Sequence, residues 1–224
     1  MFPNVSSLRK ELHTKHFSYS TKDYPFKETL ENLYGSELET IHKTLGNFNK
    51  FERSNDQSTL LHKVFYSNFS TLIKPIYQDF IENFISQIIA PHKFYYQKIP
   101  TFRVGLPGNV FVGEFHKDTS YNHKSYELNF NLGLSNYQGA AALKTEVVPN
   151  SKEWTILECP YGEIFSFDHI DCLHGSDLNQ SNQTMISFDF RLALEELYFE
   201  SDASSVNLMT SFKPGSYFSS NLVN

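Results

Sequence analysis

The chain has 224 residues, of which 40% are hydrophobic, and a formal net charge of −6 at pH 7. This length and composition suit one domain of ordinary size with a full core. The negative charge, with no basic stripe, disfavours a nucleic-acid partner, because binding phosphates requires a basic face. No stretch approaches the roughly 18 consecutive apolar residues of a membrane span.

The N-terminus and the cysteines bear on the compartment. The first residues lack the apolar core of a signal peptide. Two cysteines, Cys159 and Cys172, do not make a disulfide framework. We therefore expect a cytoplasmic protein.

Helical patterns occupy residues 1–92. Pro25 suits the first turn of a helix, and Ser36 with Glu39 has the spacing of a capping box that opens a second helix, which Gly46 can close. Apolar residues then recur at helical spacing up to an expected break at Pro75. The strongest amphipathic helix follows and ends before Pro91.

Residues 93–194 have the alternation of β-strands. In residues 126–134 and 185–192 every second side chain is apolar, so one face of each strand can pack on the N-terminal helices. The predicted helix-facing residues are Leu128, Phe130, Leu132, Ile186, Phe188 and Phe190. The other face, with Asn129, Asn131, Ser187, Asp189 and Arg191, is expected to line a site inside a β-sandwich or barrel.

The C-terminal residues 195–224 read as a tail. Its last two dozen residues are rich in Ser and Asn, which favours a surface segment. Phe212, Tyr217 and Phe218 can pin it back, over the mouth of the barrel. We see one domain with three parts, residues 1–92, 93–194 and 195–224.

The chemistry is carried by a His-x-Asp motif and a distant histidine. His116 and Asp118 share one side of an extended segment, because side chains two apart point the same way. The apolar run 109–115 reads as the strand that delivers them, and His174 follows another strand-like run. Two imidazoles and one carboxylate are the ligand set of the facial triad that holds mononuclear non-haem Fe(II) and leaves positions open.

The motifs together resemble a known superfamily. They are Pro-Thr-Phe-Arg at 100–103, Gly-Glu-Phe-His-Lys-Asp at 113–118, Glu-Leu-Asn-Phe at 127–130, His-Gly-Ser at 174–176 with Asn179, and Ser-Phe-Asp-Phe-Arg at 187–191. This order and spacing resemble the Fe(II)/2-oxoglutarate-dependent dioxygenases, and more narrowly the hydroxylases of aminoglycoside (streptomycin-type) biosynthesis, distant relatives of the phytanoyl-CoA hydroxylases.

The resemblance implies a fold and an activity. The fold would be mostly β, a double-stranded β-helix of the jelly-roll or cupin type, with the N-terminal helices packed on one sheet. His116, Asp118 and His174 would bind Fe(II). With 2-oxoglutarate as co-substrate and O2 as oxidant, the protein would hydroxylate a small polar metabolite, with neither nucleic acid nor membrane as partner.

One position departs from the superfamily pattern. An Arg-x-Ser triplet on the strand after the distal His usually binds the far carboxylate of 2-oxoglutarate, whereas this chain has Met185-Ile186-Ser187. Arg191, of the same strand parity, is the first substitute, and Lys144 is the second. The remaining predicted contacts are Ser187 and Asn129 to the co-substrate and Arg103 and Asn131 to the substrate.

Two alternatives stay open. The missing arginine at Met185 is compatible with a metal enzyme of the same fold that does not use 2-oxoglutarate. A non-catalytic β-barrel that binds a ligand is the other. Outside the triad, Asp171 is a candidate to orient His174, and Trp154 is expected in the core.

Overall fold

The computed structural model describes residues 5–45, 57–110, 114–139, 141–205 and 210–224. The expected helix end at Gly46 and residues 111–113 of the expected strand 109–115 lie outside these ranges. The first elements are helix α1 (Val5–Leu12), strand β1 (Lys15–Ser18), helix α2 (Phe26–Tyr34) and a 3-10 helix (Leu38–Leu45).

This N-terminal part differs from the sequence expectation in two ways. It contains a strand, β1, which pairs with a later strand at the edge of a sheet. The capping box does not form, because Ser36 Oγ donates to the carbonyl of Glu37 while the Glu39 carboxylate accepts from Lys27 Nζ at 2.7 Å. Glu39 therefore ties two helical segments together by an ion pair.

A long irregular helix runs through residues 60–89. Its segments are α3 (Leu60–Asn68), a π-helical turn (Phe69–Ile73), α4 (Lys74–Asp79), a second π-helical turn (Phe80–Ile85) and α5 (Ser86–Ile89). The expected break at Pro75 is wrong. A proline lacks the N–H for the usual helical bond, and the wider turn just before it accommodates that loss without ending the helix.

Two antiparallel sheets form the rest of the fold. The strands are β2 (Phe94–Tyr96), β3 (Thr101–Gly105), β4 (Glu127–Gly133), β5 (Leu143–Glu146), β6 (Trp154–Leu157), β7 (Glu163–Ser166), β8 (His174–Gly175) and β9 (Met185–Leu194). The large sheet has the order β1-β7-β4-β9-β2, with β3 also paired to β9, and the small sheet has the order β6-β5-β8. The fold is thus mixed, with N-terminal helices and two sheets.

Strands β4 and β9 are buried on both faces, and the predicted side-chain parity is confirmed. Leu128, Phe130, Leu132, Ile186, Phe188 and Phe190 all belong to the main core. The Phe188 ring contacts Phe26 and Phe65, and the Phe190 ring contacts Tyr77 and Phe80. The helices therefore cover one face of the large sheet, and the polar face of β4 and β9 is turned the other way.

The C-terminal tail folds back onto the large sheet. Phe212, Tyr217 and Phe218 are buried with Tyr126 and Ala193. The backbone of Val223 pairs with that of Phe94 in β2. The described part of the tail is thereby pinned by its aromatic residues, as the sequence predicts.

One core expectation is wrong. The Trp154 side chain is 43% exposed, on the outer face of the small sheet, where its ring packs edge to face on Phe115 at 4.9 Å. A partner on the same surface is sufficient to hold a large ring that the core does not take up. None of the described helices combines the length and the hydrophobicity that crossing a membrane requires.

Candidate metal centre

The predicted triad comes together where the two sheets meet. His116 lies opposite His174 in an antiparallel backbone bridge, and His174 begins β8. Asp118 is not on a strand as expected but begins a 3-10 helix, Asp118–Tyr121. Lys117 between them is extended, with φ −107° and ψ 141°, so the two ligand side chains still point to one side.

The ligand atoms of the triad converge. Nε2 of His116 and Nε2 of His174 each lie 3.3 Å from Oδ1 of Asp118. One ligand atom from each residue lies within 4.8 Å of the other two. Asp118 and His174 are buried, while His116 is partly exposed. The centre is thus reachable from one side and enclosed on the other.

Backbone carbonyls hold both imidazoles in the orientation that a metal needs. Nδ1 of His116 lies 2.6 Å from the carbonyl of Glu114, and Nδ1 of His174 lies 3.2 Å from the carbonyl of Cys172. When Nδ1 carries the proton and donates it to a carbonyl, Nε2 keeps its lone pair for the metal. The expectation that Asp171 orients His174 is wrong, since its carboxylate pairs with Arg9 instead.

Asp118 is ionised in this setting. Burial alone would raise the pKa of its carboxyl, but Arg191 and the two imidazoles outweigh burial and hold that pKa well below the usual range. Nη2 of Arg191 donates to Oδ2 of Asp118 at 2.6 Å. The two oxygens are therefore used differently, Oδ1 toward the imidazoles and Oδ2 toward Arg191.

These residues fit a divalent metal. Two imidazoles and an ionised carboxylate converge from one side, which is the donor set and arrangement of a facial triad. The hydrogen bonds to Nδ1 and Oδ2 are the outer contacts that fix metal ligands in place. The three residues form a mononuclear metal site of the His-x-Asp…His type.

A polar wall stands beside the triad on the free face of the large sheet. We define it as Asn129, Asn131, Ser187, Asp189 and Arg191 with Arg103 of β3. Register places Asn129 opposite Arg191, Asn131 opposite Asp189, and Arg103 opposite Ser187. Ion pairs link Arg103 to Asp189 at 3.3 Å and Asp189 to Arg191 at 3.2 Å.

Several atoms of the polar wall are buried without a hydrogen-bond partner among the described residues. They are Asn129 Oδ1, Asn131 Oδ1, Ser187 Oγ and Arg191 Nε. Buried polar groups are normally satisfied, so such a group calls for a ligand or water. The polar wall thus presents unpaired donors and acceptors on the free face of the large sheet.

The structure does not bring Lys144 to this wall. Thr145 lies opposite His174 in the β5–β8 pairing, and neighbouring side chains on a strand point to opposite faces. Lys144 therefore lies on the other face of the small sheet, where its Nζ pairs with the carboxylate of Asp177.

Sequence reasoning missed the residues that brace the loop before His174. Arg9 of α1 is buried and pairs with Asp168 at 3.0 Å. Asp168 also accepts from the backbone N–H of Asp171 at 3.1 Å. On the other side, Glu146 accepts from the N–H of Leu173 at 2.9 Å. Nothing in the spacing of these residues signals the contacts of Arg9 with Asp168 and of Glu146 with Leu173, because both join distant parts of the chain.

Tyr217 and His169 were also missed as neighbours of the site. The Tyr217 hydroxyl lies 3.5 Å from Nη1 of Arg191. The His169 carbonyl accepts from the N–H of Asp118 at 2.9 Å, and its ring is fully buried. Burial lowers the pKa of His169 well below the usual range, so its ring is neutral. Of the two, only Tyr217 had a sequence signal, as one of the aromatic residues in the tail.

Fold and site together define a non-haem metal protein with two antiparallel sheets and a His-x-Asp…His triad. No protein-family model matches the chain. The chain is 28% identical over 200 residues to the streptomycin biosynthesis protein StrG of Streptomyces griseus. The aligned residues cover 89% of this chain and 94% of StrG.

The chain was also compared with solved structures. The non-haem alpha-ketoglutarate-dependent carbocyclase SnoK from nogalamycin biosynthesis superposes with a TM-score of 0.51 at 11% identity, covering 99% of this chain and 95% of SnoK. The apo form of the non-haem monooxygenase ThoJ superposes with a TM-score of 0.49 at 10% identity, covering 95% of this chain and 85% of ThoJ. At such identities the SnoK likeness bears on the fold alone.

Proposed function

We propose that this protein is an Fe(II)- and 2-oxoglutarate-dependent hydroxylase that acts on a small polar molecule of specialised metabolism. The observation that carries the proposal is the convergence of His116, Asp118 and His174 beside a buried polar wall. The sequence relationship to a streptomycin biosynthesis protein supports the metabolic setting.

The donor set favours iron over a softer metal. Imidazole nitrogen and carboxylate oxygen in a facial arrangement with open positions are typical of Fe(II) oxygenases. When bound, Fe(II) supplies the O2-activating chemistry, in which 2-oxoglutarate loses CO2 to give succinate, one oxygen atom enters succinate, and the other enters a C–H bond of the substrate.

The chain's own residues orient the reactants and limit access of water. The helices close one face of the large sheet, so small molecules approach the triad from the side of the polar wall. Asn129, Asn131 and Ser187 offer hydrogen-bonding groups on that side. We propose that Asn129 and Ser187 bind the co-substrate and that Asn131 binds the substrate. Arg103 and Arg191 supply positive charge for carboxylate binding.

We further propose that the two sheets close into a double-stranded β-helix. Backbone bridges join Val110 to Leu178 and His116 to His174, so the segments around residues 110 and 116 extend the small sheet next to β8. Such closure places the polar wall inside a barrel, with the metal site at its mouth.

A second candidate function is a metal enzyme of the same fold that does not use 2-oxoglutarate. It is favoured by Met185, because this uncharged residue stands where the superfamily usually has an arginine. A non-catalytic barrel is disfavoured by the preorganised triad. Formation of succinate distinguishes the two enzymatic alternatives.

The test is conversion of 2-oxoglutarate to succinate by the protein with Fe(II), ascorbate and O2, first without substrate and then with small polar metabolites. We expect succinate above the protein-free background, and none above it for His174→Ala. If the wild-type protein binds Fe(II) but forms no succinate under any of these conditions, the second candidate replaces the first.

A further inference from the structure

We propose that the two guanidinium groups of the polar wall have different tasks. Arg191 positions the metal ligand Asp118, and Arg103 with Ser187 binds the distal carboxylate of a small dicarboxylic acid. This inference rests on the proposed function and departs from the sequence expectation that Arg191 anchors 2-oxoglutarate.

Arg191 is already committed to the metal site. Its Nη2 donates to Oδ2 of Asp118 at 2.6 Å, and its Nη1 pairs with Oδ1 of Asp189 at 3.2 Å. The side chain is buried. Both terminal nitrogens thus have carboxylate partners, and Nε is the nitrogen left without one among the described residues. Arg191 already balances the charge of two carboxylates, which weakens the case for it as the anchor of a third.

The contact with Arg191 fixes the orientation of the Asp118 carboxylate. Oδ1 faces both imidazole Nε2 atoms at 3.3 Å, whereas Oδ2 is turned to the guanidinium. Arg191 therefore withholds one oxygen, so that Asp118 offers a single oxygen to the metal. A carboxylate that used both oxygens would occupy a position that the reactants need.

Arg103 lies farther along the polar wall from Asp118 than Arg191 does. It is opposite Ser187, and Ser187 is four residues from Arg191 on β9, roughly 13 Å at about 3.3 Å per residue. The Arg103 guanidinium reaches back to Asp189, the residue between them, at 3.3 Å. A ligand that extends from the metal along the wall therefore meets Arg103 at its far end.

Ser187 supplies the second contact at that end. Its side chain is fully buried, and its Oγ has no hydrogen-bond partner among the described residues. A hydroxyl can donate to a carboxylate oxygen beside a guanidinium, which satisfies both groups. Arg103 on β3 and Ser187 on β9 then replace the usual pair on one strand, which explains why Met185 is tolerated.

Charge favours a ligand with two carboxylates. Arg103 and Arg191 balance Asp118 and Asp189, so these four side chains are neutral together. A divalent metal adds two positive charges in a buried place, and a dianion cancels them. A dicarboxylate meets this requirement, because an uncompensated charge in a buried site is costly.

The test uses Co(II)-loaded protein, in which the metal spectrum and 2-oxoglutarate binding are measured separately. Arg103→Met should raise the Kd for 2-oxoglutarate by roughly tenfold to a hundredfold, the loss of one charge-assisted bond. Its Co(II) absorption spectrum should match that of the wild type. Arg103→Lys, which keeps the charge, should bind more tightly than Arg103→Met, and circular dichroism checks the folding of both.

Arg191→Met should change the Co(II) absorption spectrum before any 2-oxoglutarate is added, because the freed Oδ2 can then reach the metal. Arg191→Lys should restore part of the wild-type spectrum. Lys144→Met, at the cation on the other face of the small sheet, is the matched control for loss of a positive charge and should change neither measurement.

The inference is overturned if Arg103→Met binds 2-oxoglutarate as the wild type does, or if Arg191→Met has the wild-type Co(II) spectrum. If the wild-type protein turns over 2-oxoglutarate in either case, only the division between the arginines is wrong. If the wild-type protein neither binds 2-oxoglutarate nor forms succinate, the proposed function fails and the inference fails with it.

Discussion

His116 and His174 lie directly opposite each other, and each donates its backbone N–H to the carbonyl of the other at 2.9 Å. Opposed residues in such a bridge place their side chains on the same face. The spacing of the two imidazoles is thus set by backbone hydrogen bonds, and Asp118 completes the triad from the next turn of chain. The ligands are assembled by the fold itself.

Removal of the metal should therefore leave the protein folded. We expect chelator-treated protein to keep its far-UV circular dichroism and a cooperative thermal transition. Adding Fe(II) anaerobically should raise Tm, since a ligand at a hundred times its Kd stabilises by about 2.7 kcal/mol. An unfolded metal-free protein would show that the metal, and not the backbone bridge, organises the site.

The brace between Arg9 and Asp168 gives a second prediction. Arg9→Met leaves the buried Asp168 carboxylate without its cation, which should cost about 3 to 5 kcal/mol of unfolding free energy in urea denaturation. The neighbouring Lys10 is exposed, and Lys10→Met should change the unfolding free energy by no more than about 0.5 kcal/mol. Equal stabilities for the two variants would show that the brace contributes nothing.

The packing of β9 on the helices gives a third prediction. Phe188 is 1% exposed and lies between Phe26 and Phe65, so Phe188→Asp buries a charge without a partner. We expect a loss of more than about 4 kcal/mol or failure to fold. The control is Leu60→Asp at the exposed first residue of α3, which should be nearly neutral. A stable Phe188→Asp protein would contradict the observed side-chain parity.

Local patterns explain what the sequence could predict. The direction of a side chain on a strand depends only on its position, so alternation in β4 and β9 predicted both the core face and the polar wall. The two-residue spacing of His116 and Asp118 likewise predicted a shared side, although Asp118 begins a helical turn and not a strand position.

The sequence did not predict the side-chain contacts between residues that lie far apart in the chain. The parity of Arg191 was predictable, but its contact with Asp118 depends on the 3-10 helix that places this carboxylate. The ion pair of Arg9 with Asp168 depends on how α1 docks. Pro75 misled because a proline in the first turn after a π-helical turn has the same local pattern as a helix break.

Acid should weaken the hairpin that supports Leu173. Burial tends to raise the pKa of Glu146, but the backbone N–H groups of Leu173, Asn150 and Lys152 outweigh it and lower that pKa. A depressed carboxyl pKa contributes stability above the ordinary value of about 4.3, and this stability is lost as the pH falls through the folded-state pKa.

Glu146→Gln should therefore lower the unfolding free energy near neutral pH by about 1 to 3 kcal/mol. The difference in unfolding free energy between this variant and the wild type should become smaller as the pH falls below about 4. The comparison variant is Glu153→Gln, at an exposed position of the same hairpin, which should follow the wild-type pH profile. If the difference in unfolding free energy between Glu146→Gln and the wild type stays constant with pH, the charge of Glu146 is not what stabilises the hairpin.

Metal stoichiometry tests the central claim most directly. Anaerobic equilibrium dialysis against Fe(II) should give one metal ion per chain for the wild-type protein and for His16→Ala, which changes an exposed histidine on β1. His116→Ala, Asp118→Ala and His174→Ala should each lose most of the bound metal, because each removes one of the three ligands. Full occupancy in the double variant His116→Ala with His174→Ala would place the metal elsewhere and contradict the account.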